Sequence, residues 1–387
     1  MRSFTASCIA TPSFRYSNKR TEADRVERPV VALLASYPLQ PNIQSVLYNL
    51  GRLLRDDFAF DLIMGPEDPP EQLQDLYTIY HVDTPPIERT GIGYALKATH
   101  EYLRNHRPRA IMNAGQPFPL GVAVVLVGKW HAVPTILRIT GDYFAEAEIG
   151  TAWERWKRWL LHSKLFNAVY EQADAAVPVG PNLGDKLIQN GFDEEQVRPL
   201  PQPFDAKMFS PVSAEERRRL KKQLGLEVDR KIIAYVGRLC WAKGADRVLE
   251  IAKLVHRESD EFQFCLVGDG DYVSDFRRRF AAEEVYCAGF VPREQVHEYF
   301  QVADLLIHPT RRDGLPTVIL EALASETPVI ATDVGEIKNI VSNITKKEDD
   351  FKRLILDGNV EKDELPHSFR WSYQRRRYRN VICKVEY

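Results

Sequence analysis

Three short segments carry residue types suited to a phosphorylated, hydroxyl-rich ligand. The first is GRLCWAKG from Gly237, directly after an apolar run. Gly237 permits a sharp backbone turn, and Arg238 and Lys243 bring two cations to one loop, which suits a diphosphate. Read alone, the same stretch is also an ordinary helix-leading loop with solvated charges. The second is LVGDGD from Leu266, followed by AGFVPREQVHEYFQVADLLIHP from Ala288. Gly268, Gly270 and Gly289 allow close backbone approach, so a flat ligand such as a nucleobase could use main-chain groups there, with plain tight turns as the alternative. The third is RRDGLPTVILEALASETPVIATDVGE from Arg311. Pro316 suits the first position of a helix and Leu315 is a poor N-cap, so free N–H groups at Thr317 and Val318, beside Gly314, offer a place for phosphate. Asp313 precedes that helix and Glu321 rides its second turn, so both carboxylates can face one ligand. Arg311 and Arg312 precede Asp313 and should keep it ionised at neutral pH.

These segments need a scaffold that brings them to one edge. From Pro29 onward, short β-branched runs alternate with amphipathic stretches, the pattern of β-α-β units and a parallel sheet. Strands are expected at VVALLAS from Val30, FDLIM from Phe60, AIMNA from Ala110, TILRI from Thr135 and AAVPVG from Ala175. Ile43, Val46, Leu47, Leu50, Leu53 and Leu54 recur at helical spacing between the first two. The alternation breaks at LPQPFDAKMFSP, where Pro201, Pro203 and Pro211 oppose helix continuation. It restarts with KIIAYVG from Lys231, FQFCLVG from Phe262, VYCAG from Val285, DLLIHP from Asp304 and PVIATD from Pro328. This predicts an α/β fold of two doubly wound, Rossmann-like domains facing a central cleft, with ligands beyond the carboxyl ends of the strands. The expected division is a disordered extension at 1–28, a first domain at 29–203, a second at 204–365 and a terminal helix at 366–387.

Taken in order, the three segments resemble the nucleotide-sugar half of the retaining family 4 glycosyltransferases, which have the GT-B fold. The resemblance runs from about Ala175 to Val341, through AAVPVGPNL, the proline-rich linker and GLPTVILEALASETPVIATDVGEI, with a weaker match at FRW from Phe369. In that family such a terminal helix crosses back onto the first domain. The resemblance implies an enzyme that moves a hexose-type sugar from a nucleotide diphosphate donor to a glycan or lipid-linked hydroxyl, with retention, as in polysaccharide biosynthesis. It implies donor contacts at Gly237, Arg238, Lys243, Gly268, Phe290, Val291, Leu315, Thr317 and Glu321. Arg238 and Lys243 would hold the diphosphate, main chain at Phe290 and Val291 the base, Glu321 the ribose hydroxyls and Asp313 the transferred sugar. LRITGDYFAE from Leu137 is similar to a segment of some members that puts Asp142 beside the donor sugar; capping the turn after Gly141 is the alternative. No cofactor and no metal are expected, the donor itself being a substrate.

Two departures stand out. Asp313 replaces the family's first glutamate, shortening that arm by about 1.5 Å, and SYPLQPNIQS from Ser36 contains no glycine where a glycine-rich loop is usual. A catalytically degenerate nucleotide-sugar-binding partner protein is therefore the alternative function. Asp269, Gly270 and Asp271 also read as the metal-binding DxD motif of a GT-A transferase, but their place in a turn of the second domain argues against that. His308 ends a strand and could reach the cleft, although a lone histidine is more often structural.

With 52 basic against 54 acidic residues the chain has no global reason to bind nucleic acid. Cysteines 8, 240, 265, 287 and 383 form no CxxC pair, which suggests a reducing, cytoplasmic setting. TAWERWKRWLLHSKLF from Thr151 places Trp153, Trp156 and Leu160 near one helical face; it is an ordinary amphipathic helix or, through 153–164, a weak peripheral contact with the inner face of a membrane.

Overall fold

The structure is a computed structural model that describes residues 15–17, 28–82, 91–141 and 165–385. It contains a seven-stranded and a five-stranded sheet. The first comprises β1 (Arg15–Ser17), β2 (Val30–Leu34), β3 (Ala59–Met64), β4 (Thr78–His81), β5 (Ala110–Asn113), β6 (Thr135–Ile139) and β7 (Ala175–Pro178), in the order β1-β4-β3-β2-β5-β6-β7. The second comprises β8 (Lys231–Val236), β9 (Phe262–Val267), β10 (Val285–Gly289), β11 (Leu305–His308) and β12 (Val329–Ala331), in the order β10-β9-β8-β11-β12. All pairings are parallel except β1 with β4.

Two strands lie outside the expected set. β4 reads TIYH, too short and polar to stand out by composition, yet all four residues are buried. β1 sits inside 1–28 and pairs antiparallel with β4, Tyr16 opposite Tyr80. The expectation that 1–28 is wholly unstructured is corrected at these three residues: the open edge of β4 offers backbone partners that composition does not reveal. Residues 1–14 and 18–27 lie outside the described residues.

The helices that position the site are α1 (Pro41–Leu54), α2 (Ile92–Asn105), α3 (Val122–Trp130), α4 (Pro181–Gln189), α5 (Ala214–Gln223), α6 (Ala245–His256), α7 (Arg293–Val302), α8 (Thr317–Ala324) and α9 (Trp371–Lys384). Each parallel crossover leaves a helix on a sheet face, so strands such as β3 and β9 are buried along their whole length. One apolar cluster joins the halves, from Leu137, Ile139 and Val179 of the first to Ile232, Leu306 and Ile319 of the second. The proline-rich connection runs through it: Phe204 stacks on Phe209 at 5.7 Å, and Phe209 meets Phe300 of α7 edge-on at 5.8 Å.

Helix α9 returns to the first sheet, where Tyr378, Val381 and Ile382 pack in one core with Leu47, Leu50 and Leu54 of α1. Arg375 Nε lies 2.8 Å from Asp57 Oδ2, and Tyr378 donates to the Pro201 carbonyl at 2.9 Å. Ile382 is 1% exposed. Ile382→Ala should therefore lower unfolding stability by about 2–5 kcal/mol, measured by urea titration. A variant as stable as wild type would show that α9 is not docked in this way.

Candidate functional site

The carboxyl ends of β8, β9 and β10 are laced together by glycine. Gly237, Gly268 and Gly289 all have positive φ. A Cβ on Gly268 would stand 2.0 Å from the Gly237 carbonyl oxygen, so no other residue fits where these two turns cross. Gly237 N donates to Val267 O at 2.9 Å, and Gly268 N to Gly289 O at 2.8 Å. The strand ends that the sequence singled out thus meet at one rim.

From that rim the loop after β8 carries Arg238 and Lys243. The hydroxyl of buried Tyr235 donates to the Arg238 carbonyl at 2.8 Å and lies 3.2 Å from the Lys243 carbonyl, fixing the loop from beneath. Gly244 (φ 77°) closes it against β11, where a Cβ would come within 2.1 Å of the Pro309 carbonyl. Lys243 Nζ then reaches Asp313 Oδ2 at 2.5 Å. Arg238 is exposed and makes no ion pair among the described residues.

Asp313 is held by neighbours other than its sequence predecessors. Arg311 turns away to a bidentate pair with Asp246, at 2.6 and 2.7 Å, and lies over the Trp241 ring at 4.5 Å. Burial pushes the Asp313 carboxyl up, but the His308 imidazole and the Lys243 ammonium outweigh it and hold it below the ordinary range. The expectation that Arg311 and Arg312 keep it ionised is corrected in its cause. His308, which the sequence allowed to reach the cleft, ends β11 with Nε2 3.6 Å from Asp313 Oδ2, and neither ring nitrogen has a hydrogen-bond partner among the described residues. It faces the site across a gap slightly too long for a hydrogen bond.

Helix α8 starts one residue later than the sequence suggests. Pro316 is extended (φ −71°, ψ 120°) and precedes the helix, whose first residue is Thr317. The ring's fixed φ suits either position, and Ile319 N bonds the Pro316 carbonyl at 3.2 Å. No cap-residue side chain closes this end, and Leu315 before it is buried. Glu321 lies on the buried face of α8, 3% exposed, with Oε1 3.5 Å from Arg293 Nη1 of α7. Sequence reasoning passes over Arg293 because, beside Glu294 in FVPRE, it looks like any other solvated surface charge. Beside it Phe290 is 76% exposed and Val291 half-buried.

Asp269 accepts from Gly270 N at 2.8 Å and serves its own turn, with Asp271 exposed beside it. Asp142 and residues 153–164 lie outside the described residues. What the structure assembles is a free guanidinium, a lysine–aspartate pair, an uncapped helix start and a buried carboxylate on adjoining segments. Such a set can bind a diphosphate electrostatically and hydroxyl groups by acceptance.

Residues 216–371 match the family profile described as glycosyl transferases group 1, and residues 43–203 match the glycosyl transferase 4-like domain. The teichuronic acid biosynthesis glycosyltransferase TuaC of Bacillus subtilis is 28% identical over 59% of this chain and 54% of its own length. The glycosyltransferase EpsF of the same organism is 24% identical over 75% of each. The Arabidopsis thaliana sulfoquinovosyl transferase SQD2 is 23% identical over 65% of this chain and 48% of its own length. The chain thus spans about half the length of TuaC and SQD2. Among solved structures, Anabaena HepE in complex with UDP-glucose superposes with a TM-score of 0.67 at 14% identity, covering 92% of this chain and 95% of that one. Sucrose-phosphate synthase from Thermosynechococcus elongatus gives 0.67 at 17% with the same coverage. These likenesses fix the fold as GT-B.

Burial raises the Glu321 carboxyl above its ordinary value, with Arg293 opposing. Ionising it inside the fold therefore costs stability; the penalty is absent where folded and unfolded chains are both protonated and appears as pH rises above the unfolded value. Glu321→Gln should melt higher than wild type at neutral pH without ligand, the gain shrinking toward about pH 4. The same variant should bind a nucleotide diphosphate more weakly. Differential scanning fluorimetry across pH checks the first point; a gain independent of pH would contradict the burial argument.

Proposed function

The chain belongs to the group 1, family 4-like glycosyltransferases, and from that premise we propose that it transfers a hexose-type sugar from a nucleotide diphosphate donor to a glycan or lipid-linked hydroxyl with retention. The observation that carries this reading is the lysine–aspartate pair, 2.5 Å between Lys243 Nζ and Asp313 Oδ2, set beside an Arg238 that has no carboxylate partner among the described residues. A ligand with both phosphate and hydroxyl groups satisfies all three side chains at once. Phosphate draws Lys243 and Arg238 together, and hydroxyls donate to the Asp313 oxygens.

In the proposed reaction the bond between the anomeric carbon and the departing diphosphate oxygen breaks, and negative charge grows on that oxygen. Arg238, Lys243 and the uncapped N–H groups at the start of α8 stabilise it. The acceptor oxygen bonds the anomeric carbon on the face the diphosphate leaves, and its proton passes to the departing phosphate. Glu321 accepts from the ribose hydroxyls, and main chain at Phe290 and Val291 holds the base. The cations take over the charge stabilisation that a divalent metal would supply, so transfer proceeds without one.

Donor turnover by the purified protein tests this directly. Transfer, or slow donor hydrolysis, should continue in excess chelator; complete loss with recovery on adding Mg²⁺ or Mn²⁺ would contradict the metal-free part. Arg238→Ala should lower turnover about a hundredfold, because it removes one cation from the leaving group. Saturable binding of nucleotide sugars with no turnover under any condition would instead favour the degenerate binding protein, for which the shortened Asp313 arm is the motive.

The pair makes a further prediction. Asp313 competes with phosphate for Lys243 when no sugar is present. Asp313→Asn should therefore raise affinity for free nucleotide diphosphate severalfold while lowering turnover, because the amide no longer neutralises the lysine but also accepts donor-sugar hydroxyls less well. Calorimetry and steady-state rates on the same preparation check both halves. Weaker nucleotide binding by Asp313→Asn would show that the aspartate supports the lysine's position instead.

A further inference from the structure

Helix α4 belongs to the first half of the chain, and its first turn has no cap of its own because Gly180 stands at the N-cap. Glu336, from the loop after β12 in the second half, supplies one. Its Oε1 accepts from Leu183 N at 3.0 Å and its Oε2 from Asn182 N at 3.2 Å. Asn339 Nδ2 holds Oε2 at 2.8 Å, and the residue is 3% exposed. The approach is close enough to exclude a side chain at Gly180, where a Cβ would stand 2.4 Å from Glu336 Cδ.

The other end of the same residue grips the donor loop. Glu336 N donates to the Gly314 carbonyl at 2.8 Å, and a Cβ on Gly335 (φ 59°) would lie 2.2 Å from that oxygen and 2.4 Å from the Asp313 carbonyl oxygen. Asn182 Nδ2 closes the ring by donating to the Gly335 carbonyl at 2.8 Å. On its opposite side Gly314 abuts the first half again, its Cβ position 2.7 Å from the Thr140 carbonyl oxygen. One short path therefore connects the α4 helix start, through Glu336, to the peptide next to Asp313.

We infer that Glu336 is a positioning residue: its carboxylate binds the first half's α4 and its backbone binds Gly314, so the pose of Asp313 in the cleft depends on the two halves being clasped together. The rate consequence rests on the transfer reading above; the mechanical consequence does not. A helix N-terminus attracts a carboxylate by its dipole and its free N–H groups, and that attraction is what the clasp draws on. Without it Gly314 loses no bond of its own to Glu336 N, but that donor is no longer held in place.

The experiment compares Glu336→Ala and Glu336→Gln with wild type by amide hydrogen exchange and by steady-state rates. In Glu336→Ala, exchange should rise at residues 182–184 and also at the amide of residue 336, which bonds the Gly314 carbonyl, with β8 and β9 unchanged. Turnover at saturating donor should fall between about tenfold and a hundredfold, as expected when reacting groups are misplaced by about an ångström. Affinity for free nucleotide diphosphate should stay within about twofold, since Arg238 and Lys243 are untouched. Glu336→Gln keeps an oxygen to accept from Leu183 N and should restore most of the exchange protection. Faster exchange confined to 182–184 with wild-type turnover would overturn the inference, leaving Glu336 a helix cap and nothing else. If wild type itself turns over no donor, the transfer reading fails, and exchange at the residue-336 amide still decides the clasp. Should Glu336→Ala fail to fold, the Glu336→Gln exchange pattern and rates decide by the same criterion: a partial rise at both places supports the inference, and one at 182–184 alone overturns it.

Discussion

The attraction between Lys243 and Asp313 organises the second half of the molecule, because it joins two loops that leave different strands. Lys243 comes from the turn after β8 and Asp313 from the turn after β11, strands that neighbour each other in the sheet. Parallel pairing brings their carboxyl ends side by side, and Gly244 lets the first loop press against Pro309 so that the ammonium reaches the carboxylate at 2.5 Å. Partial burial strengthens the pair, since less water competes for either charge. It also keeps the site in register without ligand: the lysine is ordered and the aspartate ionised before a diphosphate arrives. A ligand that takes the lysine must compensate the aspartate, and in the proposed reaction sugar hydroxyls would do that.

Glu321 follows the opposite logic. Its burial disfavours the charged form, and Arg293 offsets that only in part. A carboxylate in this state gains from any hydroxyl that donates to it, because the unliganded protein has left it poorly solvated. Asp313 stabilises the fold at neutral pH and Glu321 weakens it, yet in the proposed reaction both would serve the same ligand. The difference comes from which cations surround each, and spacing alone does not carry that information.

Much of the architecture was legible because parallel sheets write themselves into sequence as apolar runs of four to six residues separated by helical periodicity, and ten of the strands announced themselves so. The rim residues were legible for a related reason. In this topology every β-to-α turn on the carboxyl side points to one edge, so Gly237, Lys243, Gly268 and Asp313 had to converge once the strands were placed. What sequence withheld was partnership across long separations. β4 is polar and short, β1 needs the open edge of β4, Arg293 finds Glu321 only after α7 packs beside α8, and His308 faces Asp313 because β11 ends where it does. Arg311 and Arg312 were the obvious partners for Asp313 by adjacency, yet Arg311 goes to Asp246, where the bidentate geometry and the Trp241 face are better. Local order along a chain ranks charges by distance in sequence; the fold ranks them by direction.

The two halves do not meet as independent bodies with a wet seam. Phe204, Phe209 and Phe300 thread one apolar cluster through the connection, and α9 returns to cover the first sheet. Around the cleft, by contrast, the halves meet at close polar contacts: Gly314 against the Thr140 backbone, and Gly180 and the start of α4 against the Glu336 carboxylate. Apolar packing tolerates small sliding at little cost, whereas the hydrogen bonds from α4 to Glu336 and Gly335 weaken steeply with small displacements. The apolar cluster therefore keeps the halves together while the glycine contacts fix their angle. That division of roles sets the cleft geometry at the loop carrying Asp313, where the reacting groups would sit.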